Sequence, residues 1–361
     1  MTAVLRYLTL LALCGATAHT LPASAAGAGP EVRVGSKQFT ESVILGEIIT
    51  RLVQNTGSRG EHRRELGGTR VLWDALVRGE IDIYPEYTGT LGEEIFARRG
   101  IHGEEALRQA LAGYGIRITP SLGFNDNYAL GMNKETCDRL AIHRISDLRR
   151  YPDLTFGFSN EFMDRADGWR GLRTRYALPP KNVFGLDHDL AYRGVASGAI
   201  AVTDLYTTDA EIDYYGLCTL DDDLHYFPVY TAVILYRGEL EKRAPHVVAT
   251  LAKLAGRINE SDMIRMNALA KHEKVAESRV AADFLASRLG LTGGVHVETV
   301  TERVWQHTKE HLFLVSLSLC AAILIGIPLG IVAARRPTLG QLVLGCVGVI
   351  RQFPRSPSSS S

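Results

Sequence analysis

Between Leu312 and Ala334 the chain carries no charged residue. About 23 residues of this kind, wound as a helix, reach across a hydrocarbon core of ~30 Å. The run therefore predicts a membrane-spanning helix, and everything before it must fold on one side. Lys309, Glu310 and His311 precede it, and Arg335-Arg336 follow at once. Paired arginines predict a cytoplasmic C-terminal side and an exported N-terminal part. A second apolar run, Leu339 to Ile350, is too short to span alone, and the chain then ends in four serines. This tail reads like the opening of a longer polytopic protein that was cut short or shifted out of frame.

The other end fits export. Arg6 gives a positive start, Tyr7 to Cys14 is a short apolar run, and Leu21-Pro22-Ala23-Ser24-Ala25 is a small-x-small ending. Residues 1–26 read as a cleaved signal peptide. A lipoprotein signal centred on Cys14 is the alternative, against which stands the bulky Leu13. Residues 27–305 then form the exported domain and 306–361 the membrane segment. In an oxidising compartment, Cys137 and Cys218 could form a disulfide or stay as two buried thiols, and spacing leaves both open. No CxxC motif or Cys/His cluster points to a metal, and no cofactor is expected. Forty basic residues balance forty acidic ones. That balance argues against a nucleic-acid partner or a polybasic membrane-surface protein.

From Glu31 onward, short β-rich runs alternate with helical periodicity, which predicts an α/β fold with parallel strands. Val32 and Val34 mark a strand, and Val43, Ile44, Ile48 and Leu52 a helical stripe over 41–53. Gly67-Gly68-Thr69 precedes a helix over Val71–Val77, with Thr69 as its cap and Gly79 as its stop. Ile81–Tyr84 reads as the next strand. Gly198 ends a helix over 192–197, and a strand is expected over 199–204. The stretches Gly79…Tyr87-Thr88 and Gly198…Tyr206-Thr207 share a plan, a hint of two similar lobes. Ligands of such sheets sit beyond the carboxyl ends of the strands. Helices are expected over 247–258, 263–267 and 277–289.

Tyrosines gather in strand-end contexts: Tyr84 and Tyr87, Tyr128, Tyr206 and Tyr230. An aromatic face attracts a cation, and a quaternary ammonium donates no hydrogen bonds, so several rings form an apt receptor for it. Half-buried core tyrosines are the plainer alternative.

Three segments carry a resemblance. Ser36-Lys37-Gln38-Phe39-Thr40-Glu41, Asp82-Ile83-Tyr84-Pro85-Glu86-Tyr87-Thr88-Gly89-Thr90 and Asp221-Asp222-Asp223-Leu224-His225-Tyr226-Phe227-Pro228-Val229-Tyr230 resemble the osmoprotectant-binding proteins of glycine betaine/carnitine/choline ABC importers. The resemblance covers about residues 31–289, with all three motifs in order. It implies the type II periplasmic-binding fold, two α/β lobes closing over a ligand. Lobe one would hold about 31–123 and 231–295, and lobe two about 124–230. An aromatic cage is implied at Tyr87, Tyr128, Tyr206 and Tyr230, with Asn127 able to shift the register of Tyr128. Carboxylate contacts are implied at Lys37, Thr90 and Arg165. For Arg165 the alternative is a surface ion pair with Asp164 or Asp167, and for Lys37 a solvated loop position. Residues 310–350 resemble the first helix or two of the same family's permease.

A cage beside cationic groups favours a zwitterion such as betaine, carnitine or ergothioneine over choline. The implied partners are an ABC permease, a cytoplasmic ATPase and the cytoplasmic membrane. An enzyme reading would lean on Asp221–Asp223 with His225, the best local acid/base cluster, but no GxSxG, HExxH or phosphate loop occurs. A sensor reading needs a cytoplasmic signalling part.

Overall fold

The computed structural model describes residues 29–101, 103–291 and 300–335. The expected signal peptide, the second apolar run and the serine tail lie outside the described residues.

The first lobe is built on a five-stranded sheet in the order β2-β1-β3-β10-β4. Its strands are β1 (Glu31–Gly35), β2 (Arg59–Arg63), β3 (Ile83–Tyr87), β4 (Ile116–Ile118) and β10 (Ala232–Arg237). The first three run parallel. Strand β10 is antiparallel to β3 and β4 because it brings the chain back from the second lobe. Parallel pairing, as expected, therefore holds only in part. Side chains alternate faces along a strand, and β10 shows the consequence. Ala232, Ile234 and Tyr236 enter one core with α1 (Thr40–Asn55), while Val233 and Leu235 enter another with α2 (Thr69–Arg78) and α3 (Glu104–Ala112). Both sheet faces are thus covered.

Helix α2 starts with a difference from expectation. Gly68 is its N-cap, without a side-chain bond, and Thr69 is the first helical residue. The Thr69 hydroxyl is drawn away to Glu161 Oε1 at 2.9 Å. Gly79 does stop the helix, at φ 72°, a left-handed conformation that glycine adopts without a Cβ penalty.

The second lobe has an antiparallel trio, β8-β5-β9, and a parallel pair, β6-β7. Its strands are β5 (Tyr128–Asn133), β6 (Thr155–Ser159), β7 (Asn182–Leu186), β8 (Thr203–Tyr206) and β9 (Leu217–Leu220). Strand β8 begins four residues later than expected. Its helices include α4 (Lys134–Leu140), α5 (Asn160–Asp164), α6 (Trp169–Tyr176), α7 (His188–Ala196) and α8 (Glu211–Tyr214). Cys137 of α4 and Cys218 of β9 are disulfide-bonded. The chain returns to the first lobe through β10 and α9 (Pro245–Leu251), α10 (Glu260–Lys271) and α11 (Glu277–Leu289).

The two Tyr-Thr repeats acquire a structural meaning at the lobe connections. Thr88 donates its backbone N–H to Thr231 O at 3.0 Å and accepts from Thr231 N at 3.1 Å through its hydroxyl. Thr207 does the same with Asn127, at 3.0 and 2.9 Å. Each pair therefore clamps one connecting segment and leaves its tyrosine at a strand's carboxyl end.

A separate unit, described by itself, holds α12 (Val300–Arg335). His311–Pro328 within it has a mean hydropathy of 2.2, enough by length and composition to cross a membrane. Leu312, Phe313, Leu314, Leu317 and Leu324 are exposed in the isolated chain.

Candidate functional site

A cavity of about 270 Å³ lies where β3 and β8 end and β5 begins, lined from both lobes. Lys37, Tyr87, Thr90, Tyr128, Arg165, Tyr206 and Tyr230 all line it. Tyr128 is the hub of the rings: its centroid is 5.0 Å from Tyr206 and 5.5 Å from Tyr230. Phe39 and His188 extend the aromatic wall, at 5.9 and 4.6 Å from Tyr206. Tyr87 lines the same space from β3, with the Lys37 ammonium 5.6 Å over its ring. Burial pushes the phenols of Tyr87, Tyr128, Tyr206 and Tyr230 well above their ordinary range. They stay neutral, offering ring faces and O–H groups. Asn127 does not compete for the register, because its Oδ1 accepts from the Tyr230 backbone N–H at 2.8 Å.

Arg165 is buried, not a surface residue. Its Nε and Nη2 donate to the two oxygens of Asp167 at 2.7 and 2.6 Å, a two-point pair. Nη2 also reaches Thr90 Oγ1 at 3.4 Å. That leaves the Nη1 hydrogens, with Glu161 Oε1 3.6 Å away. The guanidinium lies 5.2 Å from the Tyr128 ring centroid. Lys37 is likewise buried, and its ammonium pairs with Glu86 Oε1 at 2.7 Å. Both cations thus enter the wall already matched by an acid, as buried charges must be.

Several lining residues were not singled out from the sequence. Glu41 accepts from Tyr87 Oη at 2.5 Å, Thr208 Oγ1 at 2.6 Å and Asn267 Nδ2 at 2.9 Å. Burial raises its pKa against those three donors. His188 faces Asp209 at 2.9 Å. Burial opposes its protonation, but Asp209 outweighs that and pushes its pKa up to about 9. Lys271 of α10 pairs with Asp189 and Glu211 at 2.9 and 2.6 Å. Phe39 and Glu41 lay inside the first of the three resembling segments. His188, Asn267 and Lys271 sit in helical stretches with no local signal of chemistry.

The acid cluster at 221–223 lines no part of this cavity. Asp222 accepts from Tyr176 Oη and from the backbone of Tyr226 and Phe227, so it holds its loop.

The profile of one family, described as the substrate binding domain of ABC-type glycine betaine transport systems, matches residues 30–287. The chain is 33% identical over 263 residues to the ergothioneine transport permease/ergothioneine binding protein EgtU of Helicobacter pylori. That match covers 72% of this chain and 47% of the relative, so the chain spans about half of that protein's length. It is 31% identical over 279 residues to the carnitine transport binding protein OpuCC of Listeria monocytogenes, covering 74% of this chain and 89% of the relative. A solved glycine betaine/carnitine/choline ABC transporter structure is similar with a TM-score of 0.60 and 26% identity, covering 72% of this chain and 98% of that one. The fold is the type II periplasmic-binding fold expected from the motifs, and the chain belongs to the family of substrate-binding domains of ABC-type glycine betaine transport systems.

Proposed function

We propose that this chain binds a small trimethylammonium zwitterion, of the glycine betaine kind, outside the cytoplasmic membrane and delivers it to an ABC permease driven by a separate ATPase. The observation that carries the reading is one cavity in which Tyr128, Tyr206 and Tyr230 lie beside Arg165, whose Nη1 has only the longer 3.6 Å contact to Glu161. The rings receive the methylated cation, each contact giving ~0.5–2 kcal/mol, and Nη1 with Thr90 receives the carboxylate. Tyr87 completes the cage, and Lys37 sets the local positive field while paired with Glu86. Choline, with no carboxylate, leaves Arg165 without a ligand partner. Binding is followed by release without chemistry on the ligand.

The exported placement rests on three features: the signal-like N-terminus, the disulfide and the apolar stretch of α12. The family relatives are named for ergothioneine, carnitine and glycine betaine. Ergothioneine is a second ligand reading, favoured by the Helicobacter relative at 33% identity. Calorimetric titration of the full chain in detergent with glycine betaine, carnitine, ergothioneine, choline and proline tests the class. Saturable binding of the trimethylammonium zwitterions over choline and proline is expected. Silence from every trimethylammonium compound with folded protein overturns it.

A further inference from the structure

Thr208 follows β8 in the second lobe, and its hydroxyl oxygen lies 2.6 Å from Glu41 Oε2 and 2.8 Å from Asp126 Oδ1. A hydroxyl has one hydrogen to donate. Two ionised carboxylates cannot both accept from it, so one of the pair must carry a proton and donate to Thr208 Oγ1. Glu41 already accepts from Tyr87 and Asn267 as well, the pattern of an ionised carboxylate. That assigns the proton to Asp126, whose remaining contact, from the Thr208 backbone N–H, is long at 3.3 Å.

The bridge crosses between lobes. Glu41 is on α1 and Asn267 on α10, both in the first lobe. Asn267 Nδ2 also donates to the backbone oxygen of Thr208 at 3.0 Å. We propose that lobe closure is linked to uptake of one proton by the Glu41–Asp126 pair, with Thr208 as the bridge that forms only when the lobes meet. Opening separates Thr208 from Glu41, wets the pair and lets both carboxyls ionise.

The surroundings support this. Burial, and then the mutual repulsion with Glu41 and Asp209, raises the Asp126 pKa well above the ordinary carboxylate range. Asp209 is itself held by His188 from α7, and His188 remains protonated to about pH 9. On α10, Lys271 pairs with Asp189 and Glu211. On β3, Glu86 is matched by Lys37, and Tyr87 stays neutral. Each of these neighbouring acids has its own donor or cation, whereas Glu41 and Asp126 share the one hydroxyl hydrogen of Thr208.

The sign follows from linkage. The closed form binds more protons than the open one, so closure is favoured as pH falls through the raised pKa and flattens near pH ~4, the ordinary carboxylate value. The titration test uses glycine betaine and so rests on the ligand reading. At pH ~6–8, heats in phosphate and Tris buffers, which differ in ionisation enthalpy, report protons taken up per ligand bound. The wild type is expected to take up a substantial fraction of one proton, with Kd weakening by up to ~10-fold per pH unit as pH rises. Asp126→Asn places an amide N–H where the proton sits and is expected to remove the uptake and flatten the profile. Zero uptake by the wild type, or wild-type uptake by Asp126→Asn, overturns the proposal. Small-angle scattering of the ligand-free protein from pH 8 to 4.5, wild type against Asp126→Asn, is the arm that needs no ligand: the wild type is expected to compact as pH falls and the variant to stay unchanged. A wild type whose dimensions do not change with pH, or change as the variant's do, overturns the proposal there too, whereas absence of any heat with glycine betaine overturns only the ligand reading. If Asp126→Asn does not fold, the wild-type buffer comparison decides alone.

Discussion

Asp167 holds Arg165 and Tyr230 in place at once: its Oδ2 accepts from Arg165 Nη2 and from the Tyr230 hydroxyl, both at 2.6 Å. One buried acid therefore couples a ring of the proposed cage to the cation proposed to meet the ligand's carboxylate. Neither contact is available to solvent, and the carboxylate replaces the water both donors lose on burial.

Asp167→Asn keeps the volume but removes the charge and one acceptor. Hydrogen bonds to charged groups are each worth about 1.5–3 kcal/mol, so affinity for the preferred zwitterion is expected to fall ~10–100-fold by calorimetry. Choline, which makes no use of the arginine, is expected to lose less. Equal losses for both ligands would mean that Asp167 serves only the ring.

Tyr206 separates ring from hydroxyl. Tyr206→Phe keeps the face beside Tyr128 and His188 and loses only the 3.2 Å contact between the two hydroxyls. Its affinity is expected to stay within a few-fold of wild type. Tyr206→Ala removes a cation–π partner of up to ~2 kcal/mol and is expected to cost ~10-fold or more. A Phe variant as poor as Ala would place the ligand contact on the hydroxyl.

Much of this was legible in the chain, and the gaps have physical causes. The strand-end tyrosines and the Gly79 and Gly198 stops follow from short-range rules, since a strand's last residue and a left-handed glycine are local facts. The helix over 277–289 is where the periodicity put it. Thr69 was misread as a cap because its hydroxyl answers to Glu161, 92 residues away. Lys37 and Arg165 read as cations, and Asp167 as a surface partner of Arg165, but Glu86 as the partner of Lys37 and the burial of both pairs emerged only with the fold. His188, Asn267 and Lys271 were invisible because nothing in one helix reveals which face another lobe will cover. Whether Cys137 and Cys218 pair depended on α4 and β9 coming together, which spacing does not encode.

The disulfide joins positions 81 residues apart. In the chain-entropy account a loop of that size stabilises by about 4–5 kcal/mol. The Cys137→Ser/Cys218→Ser double variant is expected to melt well below the wild type, by about 2–4 °C per kcal/mol for a domain of this size. Reductant should lower the wild-type melting point and leave the double variant unmoved. A wild type insensitive to reductant after full unfolding and refolding would show that the bond contributes little.

His188 gives a second pH limb. Its folded pKa of about 9 lies above the ordinary 6.5. The protonated form is therefore the stabilising one: its contribution is full below ~6.5 and lost as pH rises through about 9, amounting to about 3 kcal/mol at most. Denaturant midpoints of the wild type are expected to decline between pH 6.5 and 9.5. His188→Gln should start lower and show a flatter line. A parallel decline in both would assign the slope to other groups.

Gly89 tests the cage from behind. A Cβ placed there would lie 2.5 Å from Tyr230 Cδ1 and 2.7 Å from Cε1, too close for any carbon pair. The Tyr230 ring has little room to yield, because its hydroxyl is fixed by Asp167 and its centroid packs 5.5 Å from Tyr128. Gly89→Ala must therefore displace the ring or the backbone that ends β3 beside Tyr87. Overpacking of this kind costs about 1–3 kcal/mol, which a domain of this size tolerates while still folding. The variant is expected to melt a few degrees lower and to bind the zwitterion ~10-fold or more weakly, a loss larger than the change in stability alone conveys. Wild-type affinity in a measurably destabilised Gly89→Ala protein would show that the ligand does not rest on Tyr230, and would move the cage to Tyr128, Tyr206 and Tyr87.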